Sequence, residues 1–484
     1  MTKSSYLATI SISVLLLSFS ILAQTKGKPP VIIIPGVTGS QLVNPKADRS
    51  VWFSLKRDKD DDIRLPMTSA VLSRNRDGLR VKDIIREVKV PVLPDVEVYQ
   101  SLLDALKAKG YTEAQWSKPQ AADVFYVFPY DWRRDNVESA HLLISRIEAA
   151  KRSLRRPDLK FDVIAHSMGG LIARYAAMYG RADLPPSSSA RPRPTWSGAR
   201  HFNKILMFGT PNEGSFSSFE VLLEGYPLVA GRRLPLIDDF RPEDVFTSPA
   251  LFQLLPRDAG ASILDENLRP MNVDVFDPAN WEKYGWGAIG DPKFLSKLRD
   301  AHRLARKNPE IKPERPGKDA GLDDRIISQT TYAQVRAYLA SALGRAKRFH
   351  DALAVPMQSA PVQFYMYGGN CEPTLNGAIL VRDEKKKEWE TIFSARDLKG
   401  SNGTEIKKEE VKTRIFSNGD GRVTIRSLLT TSEVNGNGHA SEGKTLFPVT
   451  SSFFGCGSHT KLFLDKPIQD SFLSTLVVEA QAQP

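Results

Sequence analysis

A mixed α/β fold, with a largely parallel sheet covered by helices on both faces, is predicted by three features of the 484-residue sequence. Short β-branched and aromatic runs end abruptly at Pro and Gly, helix-like segments alternate with them, and at residues 161–180 a strand runs into a helix through one tight corner. The first run, "PPVIIIPGVTGSQL", reads as a buried strand that stops at Pro35 and Gly36. "YQSLLDALKAKGY" reads as a helix closed by Gly110, and "DVFYVFPYDWRRD" as a second buried strand entering an aromatic and charged loop. In "FDVIAHSMGGLIARYAAMYG" the apolar run Val163, Ile164, Ala165 precedes Leu171, Ile172, Tyr175 and Ala176 at helical spacing. Residues 181–200, rich in Pro, Ser and Arg, read as an exposed loop before the strand of "FNKILMFGTPNEGS". From 216 to 360 the β-rich pattern stops, and an insert of that size over an α/β sheet is expected to form a cap. The sheet pattern resumes with "VQFYMYGGN" and "KTLFPVTSSF". The expected organisation is therefore 1–23 signal peptide, 24–215 first part of the core, 216–360 cap, and 361–484 second part of the core.

The N-terminal assignment rests on one Lys, a short apolar run from about Ile10 to Leu22, and small and polar residues after it. Cleavage is expected after Ala23. An uncleaved anchor is the competing reading, but the run is short for a membrane span. Export, to a periplasm or the exterior, suits the cysteine count of two, since Cys371 and Cys456 can form one disulfide and both follow strand-like runs that end at the carboxyl edge of the sheet. The formal charge of +11 is spread among mixed clusters such as "KRDKDDD" and "RDEKKKEWE", which read as solvated faces with, at most, a weak attraction to anionic lipid surfaces. Nothing in the sequence has the pattern of a nucleic-acid-binding module.

Chemistry enters at the corner. In "AHSMG", Ser167 occupies the centre of a G-x-S-x-G pattern in which Ala165 replaces the first Gly. Gly, Ser and His also populate ordinary turns, but here strand, corner and helix fall in the order of a nucleophile elbow, which holds a Ser hydroxyl out at the top of a sheet. His166, directly beside it, reads as an elbow residue rather than a general base, because adjacent side chains on such a turn diverge.

With "PVIIIPGVTGSQL", "FPYDWR", "AHSMGG", "GTPNEGS" and "NGDGRVTIRS" in this order, the sequence resembles the lecithin:cholesterol acyltransferase family, which includes lysosomal phospholipase A2 and phospholipid:diacylglycerol acyltransferase. The resemblance implies an α/β-hydrolase fold with an inserted lid, a Ser-Asp-His triad, and acyl transfer from phospholipid to an alcohol or to water. The departures are Ala165 for the usual Gly, Val37 in the oxyanion loop, and cysteines that match neither bridge of the plasma enzyme.

A Ser hydroxyl needs a base to take its proton and an acid to orient that base, and the chain order in this fold is Ser, acid, His. Asp420, flanked by glycines after the strand-like run "VKTRIF", suits a carboxylate displayed on a sharp loop; a Ca²⁺ loop would need spaced carboxylates that are absent. Of the two histidines beyond it, His459 follows the last strand, where the fold places its base, and His439 reads as a residue of a glycine-rich polar loop. The backbone N–H groups of Met168 and Val37 are the expected oxyanion donors. Asp131 and Trp132 are expected at the rim, with Asp131 paired to Arg133. Phe219, Leu222, Leu223, Tyr226, Trp281 and Trp286 read equally as an acyl groove or as an ordinary cap core. The expectation is an exported serine-dependent O-acyltransferase acting on a phospholipid or other lipid ester, with transient contact to a lipid surface and no cofactor or metal. A phospholipase or lipase, and a non-catalytic lipid-binding relative, are the alternatives.

Overall fold

Four consecutive β-branched residues, Val31–Ile34 (β1), form a strand buried on both sides, the pattern expected where helices cover each face of a parallel sheet. The computed structural model describes residues 27–54, 62–88, 96–187, 192–226, 239–296, 298, 331–385, 387–430 and 448–477. The N-terminal 1–23 segment and His439 lie outside them. Beside β1 run Thr112–Glu113 (β2), Val124–Val127 (β3), Phe161–His166 (β4), Phe202–Phe208 (β5), Gln363–Gly369 (β6) and Ser451–Gly455 (β7). They make one seven-stranded sheet in the order β7-β6-β5-β4-β1-β3-β2, and every neighbouring pair is parallel. The register runs straight across the centre, with Ile33 opposite Ile164 and Ile164 opposite Leu206.

Alternation along β1 divides the core in two. Ile32 and Ile34 pack with Leu143, Ile144 and Ile147 of the helix Asn136–Ser153 (α1) and with Leu171, Ile172 and Tyr175 of Met168–Tyr179 (α2). Val31 and Ile33 face the other way, onto Leu102, Leu103 and Leu106 of the helix Gln100–Ala108 and onto Phe472 and Leu476 of Lys466–Val477. Residues separated by two on a strand share a face, so this split follows directly from the strand period. With helices on both faces of a parallel sheet and a Ser at the strand-to-helix corner, the chain has the α/β-hydrolase fold.

The described part of the insert forms helices packed around an aromatic core. Short helices at Pro242–Phe246, Pro249–Phe252 and Pro278–Tyr284 pack against the long helix Tyr332–Leu353, which starts on a capping box made by Thr331 and Gln334, and Phe216–Glu224 packs on the first two of them. Phe219, Trp281 and Trp286 meet edge to face, and all three are buried together with Leu222. These side chains are therefore the core of the cap; Leu223 and Tyr226 are half-buried against it.

Two expectations need correcting. The boundary at 361 does not separate cap from core, because Ile263–Leu264 of the insert pairs in parallel with Ala378–Asp383, which pairs in turn with Glu388–Ile392. Trp286 Nε1 also donates to Thr391 Oγ1 at 2.9 Å, so this part of the second half belongs with the cap. The run before Asp420 is a helix, Lys408–Ile415, followed by the strand Phe416–Gly419. Glu409 and Glu410 sit in its first turn and Lys412 and Arg414 in its last, which favours helix through the macrodipole, while Val411 and Ile415, four apart, bury one face.

Close packing at the corner allows a direct check. A Cβ on Gly169 would stand 2.6 Å from the carbonyl oxygens of both Ile34 and Pro35, whereas one on Gly344, within Tyr332–Leu353, would meet nothing nearer than Arg348 Nη1 at 3.5 Å. Gly169→Ala should therefore lower stability by about 1–3 kcal/mol, and Gly344→Ala should raise it by up to about 1 kcal/mol. Thermal unfolding of the two variants should move the midpoint in opposite directions.

Candidate active site

All the candidate groups stand on loops at the carboxyl ends of strands, the edge where open α/β sheets place their ligands. Ser167 follows β4 and has φ 51° and ψ −125°, a left-handed conformation for a residue with a side chain. Such strain persists only where the surroundings over-determine it. Here the Ser167 N–H donates to the Phe208 carbonyl at 2.7 Å, and its own carbonyl accepts from Gly170 N–H at 3.0 Å.

Asp420 follows Phe416–Gly419, which pairs antiparallel with Glu372–Leu375 just beyond the end of β6. His459 lies in a short 3-10 turn after β7. The structure brings the three together. His459 Nδ1 lies 2.8 Å from Asp420 Oδ2, and His459 Nε2 lies 2.9 Å from Ser167 Oγ. Because a carboxylate only accepts, Nδ1 carries the imidazole proton and Nε2 is left to accept from the Ser hydroxyl. The Asp420 carboxylate is buried, and its other oxygen accepts from the Arg422 and Val423 N–H groups at 3.0 and 2.7 Å. Two backbone donors thus fix the orientation of the carboxylate before it reaches His459.

The oxyanion candidates lie on the same edge. Met168 is the first residue of α2, so its N–H has no carbonyl within the helix to bond. Val37 is half-buried in the loop after β1. Its neighbour Gly36 is so close to the corner that a Cβ there would come within 2.9 Å of Ser167 Cβ.

Gly209 is a site residue that its sequence context did not reveal. It has φ 54°, and a Cβ on it would stand 2.8 Å from Asp420 Oδ2 and 2.9 Å from His459 Nδ1, on top of the hydrogen bond between them. The "GTPNEGS" stretch carries this glycine; the signal was the motif itself, without an indication of what it packs against. The first Gly of "GTP" is there because both partners of that bond need its space.

His166 bonds to Tyr99 and to the His459 carbonyl, with its ring centroid 5.0 Å from that of His459. Burial pushes its imidazole down to about 3, helped by the neighbouring His459, so it is neutral throughout the working range. The other described histidines are engaged elsewhere or buried in packing: His141 with the Ala182 carbonyl, His201 beside Lys151, and His350 next to Phe276 and Phe349. Asp131 pairs with Arg133, whose fully buried guanidinium also holds Asp77 and the Ile63 carbonyl. That Arg ties the loop after β3 to the segment behind it, and Trp132 is buried against Trp52 and Phe240. Among the described residues no cluster of His, Cys, Asp or Glu is placed to hold a metal ion, and no helix is long and apolar enough to cross a membrane.

Fold and site define the class as an α/β hydrolase with a serine at its nucleophile corner. Residues 42–270 match the family model for lecithin:cholesterol acyltransferase, a match that supports membership of that family. It is similar to the uncharacterized protein YJR098C of Saccharomyces cerevisiae, with 20% identity over 394 residues that make up 75% of this chain and 54% of that protein. The chain thus spans about half the length of the curated relative it matches. Among solved structures, it is similar to the Tle4–Tli4 complex, with 14% identity, 92% of this chain and 97% of that chain covered, and a TM-score of 0.45. It is also similar to the Bacillus licheniformis lipase BlEst2 in its propeptide form, with 11% identity, coverage of 94% and 52%, and a TM-score of 0.31.

Cys371 and Cys456 form a disulfide with their Cα atoms 5.0 Å apart. It joins the ends of β6 and β7, and His459 lies in the short turn that follows β7. Both cysteines are exposed, so replacing them removes no core packing. The bond closes 85 residues, and the double change Cys371→Ser, Cys456→Ser should lower the free energy of unfolding by about 4 kcal/mol on the chain-entropy account. Guanidinium denaturation measures the difference.

Proposed function

We propose that this chain is a serine-dependent lipid acyltransferase that takes a fatty acyl group from a phospholipid onto Ser167 and passes it to an alcohol or to water. The observation that carries the reading is the hydrogen-bonded set Ser167, His459 and Asp420, in a chain that matches the family model for lecithin:cholesterol acyltransferase. In the first half-reaction Ser167 Oγ attacks the ester carbonyl while His459 Nε2 takes its proton. Negative charge gathers on the former carbonyl oxygen, where the N–H groups of Met168 and Val37 stabilise it. As the tetrahedral intermediate collapses, the C–O bond to the lysolipid breaks, and His459 returns the proton to the leaving oxygen. Asp420 keeps the imidazole in the needed tautomer and stabilises the imidazolium. In the second half-reaction an alcohol or water gives its proton to the same nitrogen and takes the acyl group.

Water is the competing acceptor at tens of molar, so transfer to an alcohol dominates only if the cap holds the acceptor and excludes water. The packed helices of the described part of the insert support this part of the reading. Export through the N-terminal segment and transient contact with a lipid surface complete the proposal, with the exposed disulfide in keeping with an oxidising compartment.

Ser167→Ala, Asp420→Asn and His459→Ala should each lower kcat on the order of 10⁴ to 10⁶-fold while thermal unfolding stays near wild type, because members of such a set act as a unit. Labelled phospholipid, offered alone and with a sterol or diacylglycerol, should release free fatty acid in every case and yield new ester when the lipophilic alcohol is present. Hydrolysis without any ester would leave a phospholipase. Wild-type rates in Ser167→Ala would dismiss the enzyme reading altogether.

The pH dependence follows from the neutral state of His166. Protonation of His459 removes the lone pair that accepts the Ser167 proton, so activity falls as pH falls. His166 takes no proton until about 3, so one proton governs the loss. A plot of log kcat/KM against pH should have a limiting acid slope of one; a slope of two would mean that a second buried group titrates with it.

A further inference from the structure

His166 occupies the corner next to Ser167 and takes no part in the proton transfers above, yet every polar atom of its ring is engaged. Its Nε2 lies 2.9 Å from the main-chain carbonyl oxygen of His459, and its Nδ1 lies 2.9 Å from Tyr99 Oη. Tyr99 Oη in turn accepts from the Gly36 N–H at 2.8 Å. The directions of these bonds are fixed by chemistry. A carbonyl oxygen can only accept, so Nε2 carries the hydrogen. A neutral imidazole has one N–H, so Nδ1 accepts, and the donor to it is the Tyr99 hydroxyl. That leaves the Tyr99 oxygen free to receive Gly36 N–H. One unbroken chain therefore runs from the loop after β1 through Tyr99 and His166 to the backbone of His459. It is sealed from water: His166 and Tyr99 are buried, and Phe463 packs against both rings.

His459 is consequently braced twice between the same two places. Its side chain links Asp420 on one side to Ser167 on the other. Its main chain does the same, with its N–H donating to the Asp420 carbonyl at 2.8 Å and its carbonyl accepting from His166. An imidazole held only at its two nitrogens can pivot with the loop that carries it; one whose backbone is also tied to the acid loop and to the nucleophile corner cannot. We propose that His166 is a positioning residue which, with Tyr99, locks the backbone of His459 and the Gly36–Val37 loop into one register around Ser167. The proposal rests on the reading of Ser167, Asp420 and His459 as the catalytic set.

The two amide substitutions at this position separate its contacts. The shorter side chain of His166→Asn places its polar atoms near the position of Nδ1, on the Tyr99 side, and falls short of His459. The longer one of His166→Gln puts an amide N–H near the position of Nε2, where it can donate to the His459 carbonyl. The measurements are kcat and KM for a soluble short-chain p-nitrophenyl ester, the rate at which a fluorophosphonate labels Ser167, and the thermal unfolding midpoint. A displacement of the base on the scale of an ångström is worth up to about 100-fold in rate. His166→Asn should therefore lower kcat and the labelling rate by about 10- to 100-fold with KM within about twofold, and His166→Gln should recover most of that loss. Tyr99→Phe, which removes the donor to Nδ1 and the acceptor for Gly36 N–H, should fall between them, and it serves as the second test if His166→Asn does not fold. Wild-type kcat in His166→Asn, or equal losses in the Asn and Gln variants, would overturn the positioning role; so would wild-type kcat in Tyr99→Phe where that variant stands in. Ser167→Ala run alongside distinguishes the two levels: if it is inactive and the His166 variants are not, only the positioning role fails, whereas activity in Ser167→Ala removes the catalytic reading on which the role depends.

Discussion

Separation between backbones at the carboxyl edge of the sheet is the constraint on which the site depends. Four chain segments have to converge there at distances that a Cβ would forbid. Gly169 lets the first turn of α2 rest on the carbonyls of Ile34 and Pro35, Gly170 makes room for Thr210, Gly36 touches the Ser167 side chain, and Gly209 leaves the space occupied by the hydrogen bond between Asp420 and His459. Polar contacts come second to this. The 2.8 and 2.9 Å hydrogen bonds of His459 exist because the strands behind them approach closely enough for the side chains to meet without stretching. The positive φ of Ser167 belongs to the same geometry, since a corner this sharp presents the hydroxyl to the edge instead of burying it in the strand.

Much of this was legible in the sequence because parallel strands covered on both faces leave continuous apolar runs, and Val31–Ile34 and residues 205–208 within Phe202–Phe208 are such runs. The corner was legible because its small residues sit between a strand pattern and a helix pattern. Asp420 and His459 could be singled out by chain order and by their positions after strands. What escaped was set by non-local packing. The pairing of Ile263–Leu264 with Ala378–Asp383 has no local signature, so the second half of the chain looked like pure core. Lys408–Ile415 is short enough that "VKTRIF" passes for a strand until the charges at the helix ends are weighed. Gly209 gave no sign of its neighbours, because a glycine turn reads the same whether it faces solvent or a carboxylate. His166 was recognised as something other than the base, but its bond to a backbone carbonyl of His459 involves an acceptor that every residue possesses, and no residue type marks it.

The cap and the sheet share one long apolar core. Phe219, Trp281 and Trp286 spend their surfaces on one another, and Trp286 reaches Thr391 beyond the insert. The packing of the described part of the insert is thus completed by the second half of the chain. At the rim the buried Arg133, clamped by Asp131, Asp77 and the Ile63 carbonyl, fixes the loop after β3 without lending a charge to the edge itself.

The bond between His459 and Ser167 spans 292 residues of sequence, and β7, the strand that delivers His459, stands at the edge of the sheet among the described residues, paired there with β6 alone. A chain emerging N-terminus first can shape the corner and the loop after β1 long before it owns a base. The hydrogen-bonded set of Ser167, Asp420 and His459 is therefore completed last, with the docking of the final strand and of the helix that packs behind it.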